Sequence, residues 1–195
     1  MTLQLRHRVT CEEHLEEYLT GERVAYTIDD HPPRYTAQEL AQVEHVPGRL
    51  IAKGVMVVAD GNPVMVVVPG VSKVDLAAVR KALGAKEVRL ALEQEFGHLF
   101  PDCEIGAMPP FGNLYGVPVL VDAALARDPV IFFNAGSHRR TVTMTYGDYA
   151  RLVRPAVGGF AKEAGGRVNV IVRTGWPAPG EAALQRRRFR HLGWR

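Results

Sequence analysis

The middle of the chain carries its longest nearly unbroken apolar run, over residues 50–59. The turn sequence Asp60-Gly61-Asn62-Pro63 follows, and a second apolar run covers residues 64–68. Two such runs joined by a short turn predict a β-hairpin. The first strand is apolar on both of its faces, which predicts that it is covered on both sides or curled into a barrel.

Helices are predicted where a capping residue precedes an amphipathic stretch. Thr10 with Glu13, and Thr36 with Glu39, each match a capping box. They predict helices over residues 11–19, ending at Gly21, and from residue 37 to about residue 45. Further helices are predicted over residues 75–83, 92–98 and 146–152, and further strands over residues 24–28, 117–121, 130–133, 141–144 and 168–172.

This order of elements predicts an α+β fold, with a mixed, strongly curled (barrel-like) β-sheet and helices packed around it. Three segments are expected along the chain. Residues 1–22 form an N-terminal helical segment, residues 23–158 the main domain, and residues 159–195 a Gly-, Pro- and Arg-rich extension.

Composition is that of an ordinary globular protein, with 47% hydrophobic and 23% charged residues. The charge is unevenly distributed. Residues 161–195 hold eight Lys and Arg against two Glu, or +6, whereas the first 160 residues hold sixteen basic and nineteen acidic side chains, or −3. A basic tail suits a polyanion such as nucleic acid, and it also occurs as a solvated end that binds nothing.

Cys11 and Cys103 lie far apart in sequence and form no CxxC pair, so two free thiols in a reducing compartment are expected. No run of apolar residues approaches the roughly 20 of a membrane span, and the N-terminus shows no secretory pattern. The expected location is the cytoplasm.

Lys53 is unusual because it shares a strand face with apolar residues. Its ammonium must reach past the apolar surface to water or meet an anion. A second candidate is the loop of residues 105–116, rich in Gly and Pro. Glycine lets a ligand approach the backbone, and exposed N–H groups of such a loop can hold an oxyanion or phosphate. A rigid surface loop is the alternative.

The turn Asn134-Ala135-Gly136-Ser137-His138 is a third candidate, with His138 as a hydrogen-bond donor, a general base or an exposed turn residue. His98 and Cys103 lack the additional ligands of a zinc site, so no metal is expected. Neither Ser72 nor Ser137 lies in a GxSxG motif, which argues against a serine hydrolase.

Taken in order, these features resemble the YbaK/prolyl-tRNA synthetase-associated editing domain family over residues 26–155. The resemblance rests on Ala52-Lys53 in an apolar strand, the hairpin, Val74-Asp75 before a helix, Gly106-x-x-x-Pro110 with Phe111-Gly112, Val121-Asp122, and Phe133-Asn134-Ala135-Gly136. It implies the six- or seven-stranded curled sheet of that family.

The resemblance also implies roles for single residues. Lys53 would lie near the ribose and phosphate of the terminal adenosine of a tRNA, and residues 106–110 would face the aminoacyl group. His31 would be structural, and Gly54 replaces an asparagine found in some members that remove alanine from proline tRNA. The implied catalytic residues are Lys53, Gly106 and His138, and the implied substrate-binding residues are Ala107, Met108, Pro110, Phe111, Gly112, Asn134, Gly136 and Ser137.

The implied activity is hydrolysis, in trans, of the ester bond of mischarged aminoacyl-tRNA, on proline tRNA or a related tRNA, without a cofactor. The aminoacylated tRNA end is the implied partner, and prolyl-tRNA synthetase is a second candidate. The chain itself is expected to be a monomer or a weak homodimer. Two alternatives stay open. One is a module that binds tRNA ends or nucleotides without hydrolysis, and the other is an interaction domain that uses a hydrophobic sheet edge.

Overall fold

The predicted hairpin is the centre of the fold. The computed structural model describes residues 9–163, and in it β2 (Ala52–Ala59) pairs antiparallel with β3 (Asn62–Pro69). Asp60 and Gly61 both have positive φ, 47° and 84°. Positive φ at both central residues is the geometry that matches a two-residue turn to the twist of its strands. The hairpin is therefore confirmed.

The hairpin lies in a mixed five-stranded sheet, buried on both faces. The strand order is β5 (Val88–Leu90), β2, β3, β6 (Val119–Asp122) and β9 (Ala156–Gly158), and β6 pairs in parallel with both β3 and β9. Residues 64–68 are all fully buried; Met65 and Val67 pack in one apolar cluster, and the three valines between and beside them pack in another. On β2, Ala52 and Met56 pack in the first cluster and Val57 and Ala59 in the second, so the expectation that this strand is covered on both sides is correct.

The remaining strands form two smaller sheets. One has the order β1 (Tyr26–Asp30), β8 (Arg140–Thr145), β7 (Val130–Asn134), and the other pairs β4 (Ser72–Val74) with β10 (Ala161–Glu163). A single bridge between Ile51 and Phe132 joins the three-stranded to the five-stranded sheet. Across residues 9–163 the strands thus form three sheets and no closed barrel, so the α+β class is supported but the strongly curled, barrel-like sheet is not.

Residues 9–163 contain five α-helices. They are α1 (Cys11–Gly21), α2 (Ala37–Val43), α3 (Leu76–Leu83), α4 (Glu93–Phe96) and α5 (Tyr146–Val153). Both predicted capping boxes are present. The hydroxyl groups of Thr10 and Thr36 accept hydrogen bonds from the amides of Glu13 and Glu39, and the carboxylates of these glutamates accept from the amides of the two threonines. The helix predicted over residues 92–98 is shorter, because a 3-10 turn (Gly97–Leu99) follows α4.

Four strands had no sequence signal. β4, β5, β9 and β10 have three residues each, too few to show an alternation. The strand predicted over residues 168–172 and most of the basic extension lie outside the described residues.

Helix α1 packs into the main core. Leu15 and Leu19 are fully buried in the cluster that also holds Phe111 and Phe133. The first turn of α1 lies against the turn at Gly136, where an added Cβ would lie 2.5 Å from the Cys11 sulfur. This packing brings Cys11 to Cys103, and the two form a disulfide, which corrects the expectation of free thiols. Sequence distance, 92 residues, concealed the pairing.

No helix among residues 9–163 is long and apolar enough to cross a membrane.

We expect Leu15→Ala to lower the free energy of unfolding by about 2–5 kcal/mol, because it opens a cavity in the core. The exposed Glu17 of the same helix offers a control, and Glu17→Ala should cost far less. Chemical denaturation measures both. Equal, small losses would show that α1 is not part of the folding unit.

Candidate active site

A pocket opens where the start of β2 meets the loop after α4 and the end of β7. Its empty volume is about 420 Å³, including the part open to solvent. The lining residues come from four segments: Tyr35, Thr36, Ala37 and Leu40; Ile51, Ala52, Lys53 and Gly54; Gly106 and Met108; and Asn134. The pocket combines apolar side chains with one cation, one amide side chain and a glycine backbone.

Lys53 supplies the cation. Its ammonium donates to the carbonyl oxygen of Ser72 at 2.8 Å and, at 3.4 Å, to that of Gly70. Val55 and Val57, on the same strand face, pack in an apolar cluster, as the sequence predicts. The ammonium is thus oriented by two carbonyl groups, and no carboxylate of residues 9–163 forms an ion pair with it.

Burial lowers the pKa of Lys53 below that of an ordinary lysine, and the charge of Lys73 lowers it further. Both causes penalise the charged form. An anion in the pocket would oppose both, since it offers the ammonium an opposite charge in place of lost hydration.

Gly106 holds the loop in a conformation that favours glycine. Its φ is +87°, and its amide points at the thioether sulfur of Met108, 3.2 Å away. Sulfur is a weak acceptor, so this N–H remains available to a stronger one. The next amide, that of Ala107, is already used, since it donates to the carbonyl of Glu104. Gly106 is therefore the better placed of these two amides to meet a ligand oxygen.

Asn134 lines the pocket, and its side chain carries an unused acceptor. Its side-chain oxygen Oδ1 is buried and has no hydrogen-bond partner. Such an orphan costs about 1–3 kcal/mol, which a ligand donor would recover.

His138 lies behind the loop, buried, with both ring nitrogens on carbonyl groups. Nδ1 is 2.9 Å from the oxygen of Arg34 and Nε2 is 3.1 Å from that of Ile105. Its own amide donates to the Glu104 carboxylate at 2.8 Å. The ring thus connects the segment before α2 to the Gly106 loop, and His138 is not among the residues that line the pocket.

Of the residues that the sequence singled out, Lys53, Gly106, Met108 and Asn134 are brought together at the pocket. The others surround or support it. Pro110 accepts from the Tyr149 hydroxyl, and Phe111 is fully buried among aromatic rings. Ala107 accepts from the amide of Gly136, Gly112 packs against Val117, and Ser137 accepts from the amide of Arg139.

Sequence reasoning missed the segment before α2 as part of the site. Tyr35 lines the pocket, is 72% exposed, and contacts the His138 ring in a tilted arrangement with 4.8 Å between the ring centroids. The capping box at Thr36 marked this segment as a helix start, which concealed its second role. His31 bonds to Thr141 and Pro32, a structural pattern that agrees with its expected role.

Comparison with known families matches residues 31–152, more than half of the chain, to the aminoacyl-tRNA editing domain. The chain belongs to this family. The match includes every pocket residue of this editing domain, from Tyr35 to Asn134.

Solved structures share this fold. The hypothetical protein APE2540 is 21% identical, with a TM-score of 0.70 over 77% of this chain and 100% of its own. A protein described as a candidate trans-editing enzyme for prolyl-tRNA synthetase is also 21% identical, with a TM-score of 0.70 over 78% of this chain and 97% of its own. At this identity the likeness concerns the fold.

Gly106→Ala should lower the free energy of unfolding by about 1–2 kcal/mol, because a Cβ is strained at positive φ. Space does not cause the loss: the new Cβ would lie 3.6 Å from the His138 ring, an ordinary contact. Gly54→Ala is the matched control at the pocket edge, with its Cβ 3.5 Å from Met65 and no positive φ. If thermal unfolding shows equal losses for both variants, backbone conformation is not what requires glycine at 106.

Proposed function

We propose that this editing domain hydrolyses the ester bond of mischarged aminoacyl-tRNA. The observation that carries the proposal is the convergence, in one pocket, of the Lys53 ammonium, the weakly bonded Gly106 amide and the unpartnered Asn134 oxygen. An aminoacyl ester on a ribose offers a group for each: an anionic phosphate, a carbonyl oxygen that becomes an oxyanion, and an α-ammonium donor.

The reaction needs little from the protein because the ester is already activated. The water oxygen adds to the ester carbonyl carbon, negative charge develops on the carbonyl oxygen, and the carbon–O3′ bond then breaks with a proton going to O3′. The Gly106 N–H is assigned to the developing oxyanion, where one preorganised donor contributes about 3–4 kcal/mol. Lys53 holds the terminal nucleotide, so that orientation supplies much of the rate.

We assign the activation of the attacking water to the substrate's own 2′-hydroxyl rather than to a protein base. Support for this comes from His138, which lies beside the Gly106 loop and has both of its ring nitrogens against carbonyl groups. In this account His138 positions the loop, and Ala107, Pro110, Phe111, Gly112, Gly136 and Ser137 form the frame behind it. Tyr35 and Met108 complete the wall.

The proposed substrate is mischarged proline tRNA or a related tRNA, with the enzyme acting in trans. The similar fold described as a candidate trans-editing enzyme for prolyl-tRNA synthetase supports this choice. The partner is the aminoacylated tRNA end, with prolyl-tRNA synthetase as a second one. The chain is proposed to work in the cytoplasm because its proposed substrate is a tRNA; the Cys11–Cys103 disulfide removes the free thiols as an argument for that location.

The direct test is incubation of the protein with proline tRNA carrying alanine, cysteine, serine or threonine, and with correctly charged prolyl-tRNA. Release of a wrong amino acid, with prolyl-tRNA spared, supports editing. Tight binding without release would favour the alternative, a non-catalytic module for tRNA ends or nucleotides, because the same pocket could hold the terminal nucleotide.

Lys53→Met should slow deacylation at least tenfold while the fold is kept, because methionine retains the apolar stem but removes the charge and its donors. Lys86→Met removes an exposed lysine near the far end of β2 and should leave the rate unchanged. Initial rates with mischarged tRNA measure the effect on catalysis, and melting temperatures show whether each variant is folded. A folded Lys53→Met protein with normal turnover removes the lysine from the mechanism.

Asn134→Ala should also slow deacylation at least tenfold, but with an unchanged or higher melting temperature. The variant deletes a buried acceptor that has no partner in the free protein, so folding loses no hydrogen bond from that oxygen. A clear loss of stability with unchanged kcat/KM would show that the amide serves the fold rather than the substrate.

A further inference from the structure

Two lysines face each other directly on the β4–β10 ribbon. Lys73 and Lys162 are register partners in this antiparallel pair, and both are exposed. Directly opposed side chains have Cβ atoms about 4.5–5.5 Å apart, and like charges in this position are destabilising. Their neighbours Val74 and Ala161 pack into an apolar cluster, so strand alternation places both lysines on the outer face.

The ribbon is anchored firmly enough to hold this repulsive pair. Buried Asp122 accepts the amides of Phe160 and Ala161, both at 2.7 Å. The Phe160 ring is buried, and its carbonyl accepts the amide of Asp75 at 2.7 Å. Lys162 is therefore fixed opposite Lys73 by contacts on the buried side.

Among residues 9–163, no carboxylate forms an ion pair with either lysine. Four arginines of the described part of the chain (Arg49, Arg89, Arg140 and Arg151) have carboxylate partners, whereas neither lysine of the ribbon forms an ion pair there. Glu163 is paired with Ser72, one position along, so its side chain points to the other face. Asp75 caps α3 by accepting the amides of Ala77 and Ala78.

The pair adjoins the pocket. The ammonium of Lys53 bonds the carbonyl of Ser72, the residue before Lys73, and the charge of Lys73 reaches Lys53 strongly enough to lower its pKa. Three cations thus run from the pocket wall onto the ribbon. In sequence, Arg167 and Arg173 follow the second strand.

We propose that Lys73 and Lys162 form a phosphate-binding site for the backbone of the nucleic acid strand whose end enters the pocket. This rests on the proposed function in taking that strand to be the acceptor end of a tRNA. Each opposed ammonium would meet a phosphate of nucleotides that precede the terminal one, and bound phosphate would remove the repulsion between them.

The test uses the full chain and uncharged tRNA, so that it does not depend on catalysis. The double variant Lys73→Gln/Lys162→Gln is compared with a control, Lys81→Gln/Lys86→Gln. The control also removes two positive charges, one in the last turn of α3 and one after that helix. The logarithm of the tRNA association constant K falls linearly with log[salt]. Loss of two phosphate contacts should make this negative slope shallower by about 1.4–1.8 for the ribbon variant alone. Its melting temperature should be unchanged or higher, because the repulsion is gone.

Equal slopes for the two variants, whether both fall or neither does, would overturn the proposal. A second arm separates it from the proposed function. It uses adenosine 5′-monophosphate aminoacylated on its ribose, which keeps the phosphate assigned to Lys53 but lacks the upstream phosphates, and its deacylation should be the same in the ribbon variant and the unaltered protein. A rate lost on this small substrate also contradicts a site for upstream phosphates. If no substrate is hydrolysed, the proposed function fails. The salt slopes still show whether Lys73 and Lys162 bind phosphates.

Discussion

The pocket depends on a set of hydrogen bonds that tie the Gly106 loop to the turn after β7. The amide of Glu104 donates to the carbonyl of Gly136 at 2.8 Å, and the amide of Gly136 donates to that of Ala107 at 3.0 Å. The Glu104 carboxylate accepts the amide of His138, whose ring closes the set through Ile105. Because these bonds involve mostly main-chain atoms, the loop is held in place without using the groups that face the pocket.

This arrangement separates support from chemistry. The supporting atoms are paired, whereas the groups on the pocket side are left under-used: a lysine without a carboxylate, an amide on a thioether and an amide oxygen with no partner. Such groups cost stability in the free protein and gain partners when a ligand binds. A site for a polar, partly anionic substrate accounts for all three.

Local features of the sequence predicted their structures well. The Asp60-Gly61 turn, both capping boxes and the Gly84 helix end follow from conformational preferences within a few residues. Features made by distant segments left no such trace. The Cys11–Cys103 disulfide, the three-residue strands and the division into three sheets depend on which segments pack together. For the same reason Lys53 and Gly106 were recognised as candidate site residues, because each is unusual among its neighbours in sequence. Tyr35 and Glu104 were not recognised, because their roles depend on contacts with distant segments.

The central claim is that the protein supplies orientation and an oxyanion site, while the substrate's 2′-hydroxyl handles the water. The most direct measurement compares deacylation of mischarged tRNA ending in adenosine with the same tRNA ending in 2′-deoxyadenosine. The account predicts rapid release from the first and a loss of most of the enzymatic rate with the second, at similar binding affinity. Equal rates for the two would contradict it and would indicate that a protein group acts as the base.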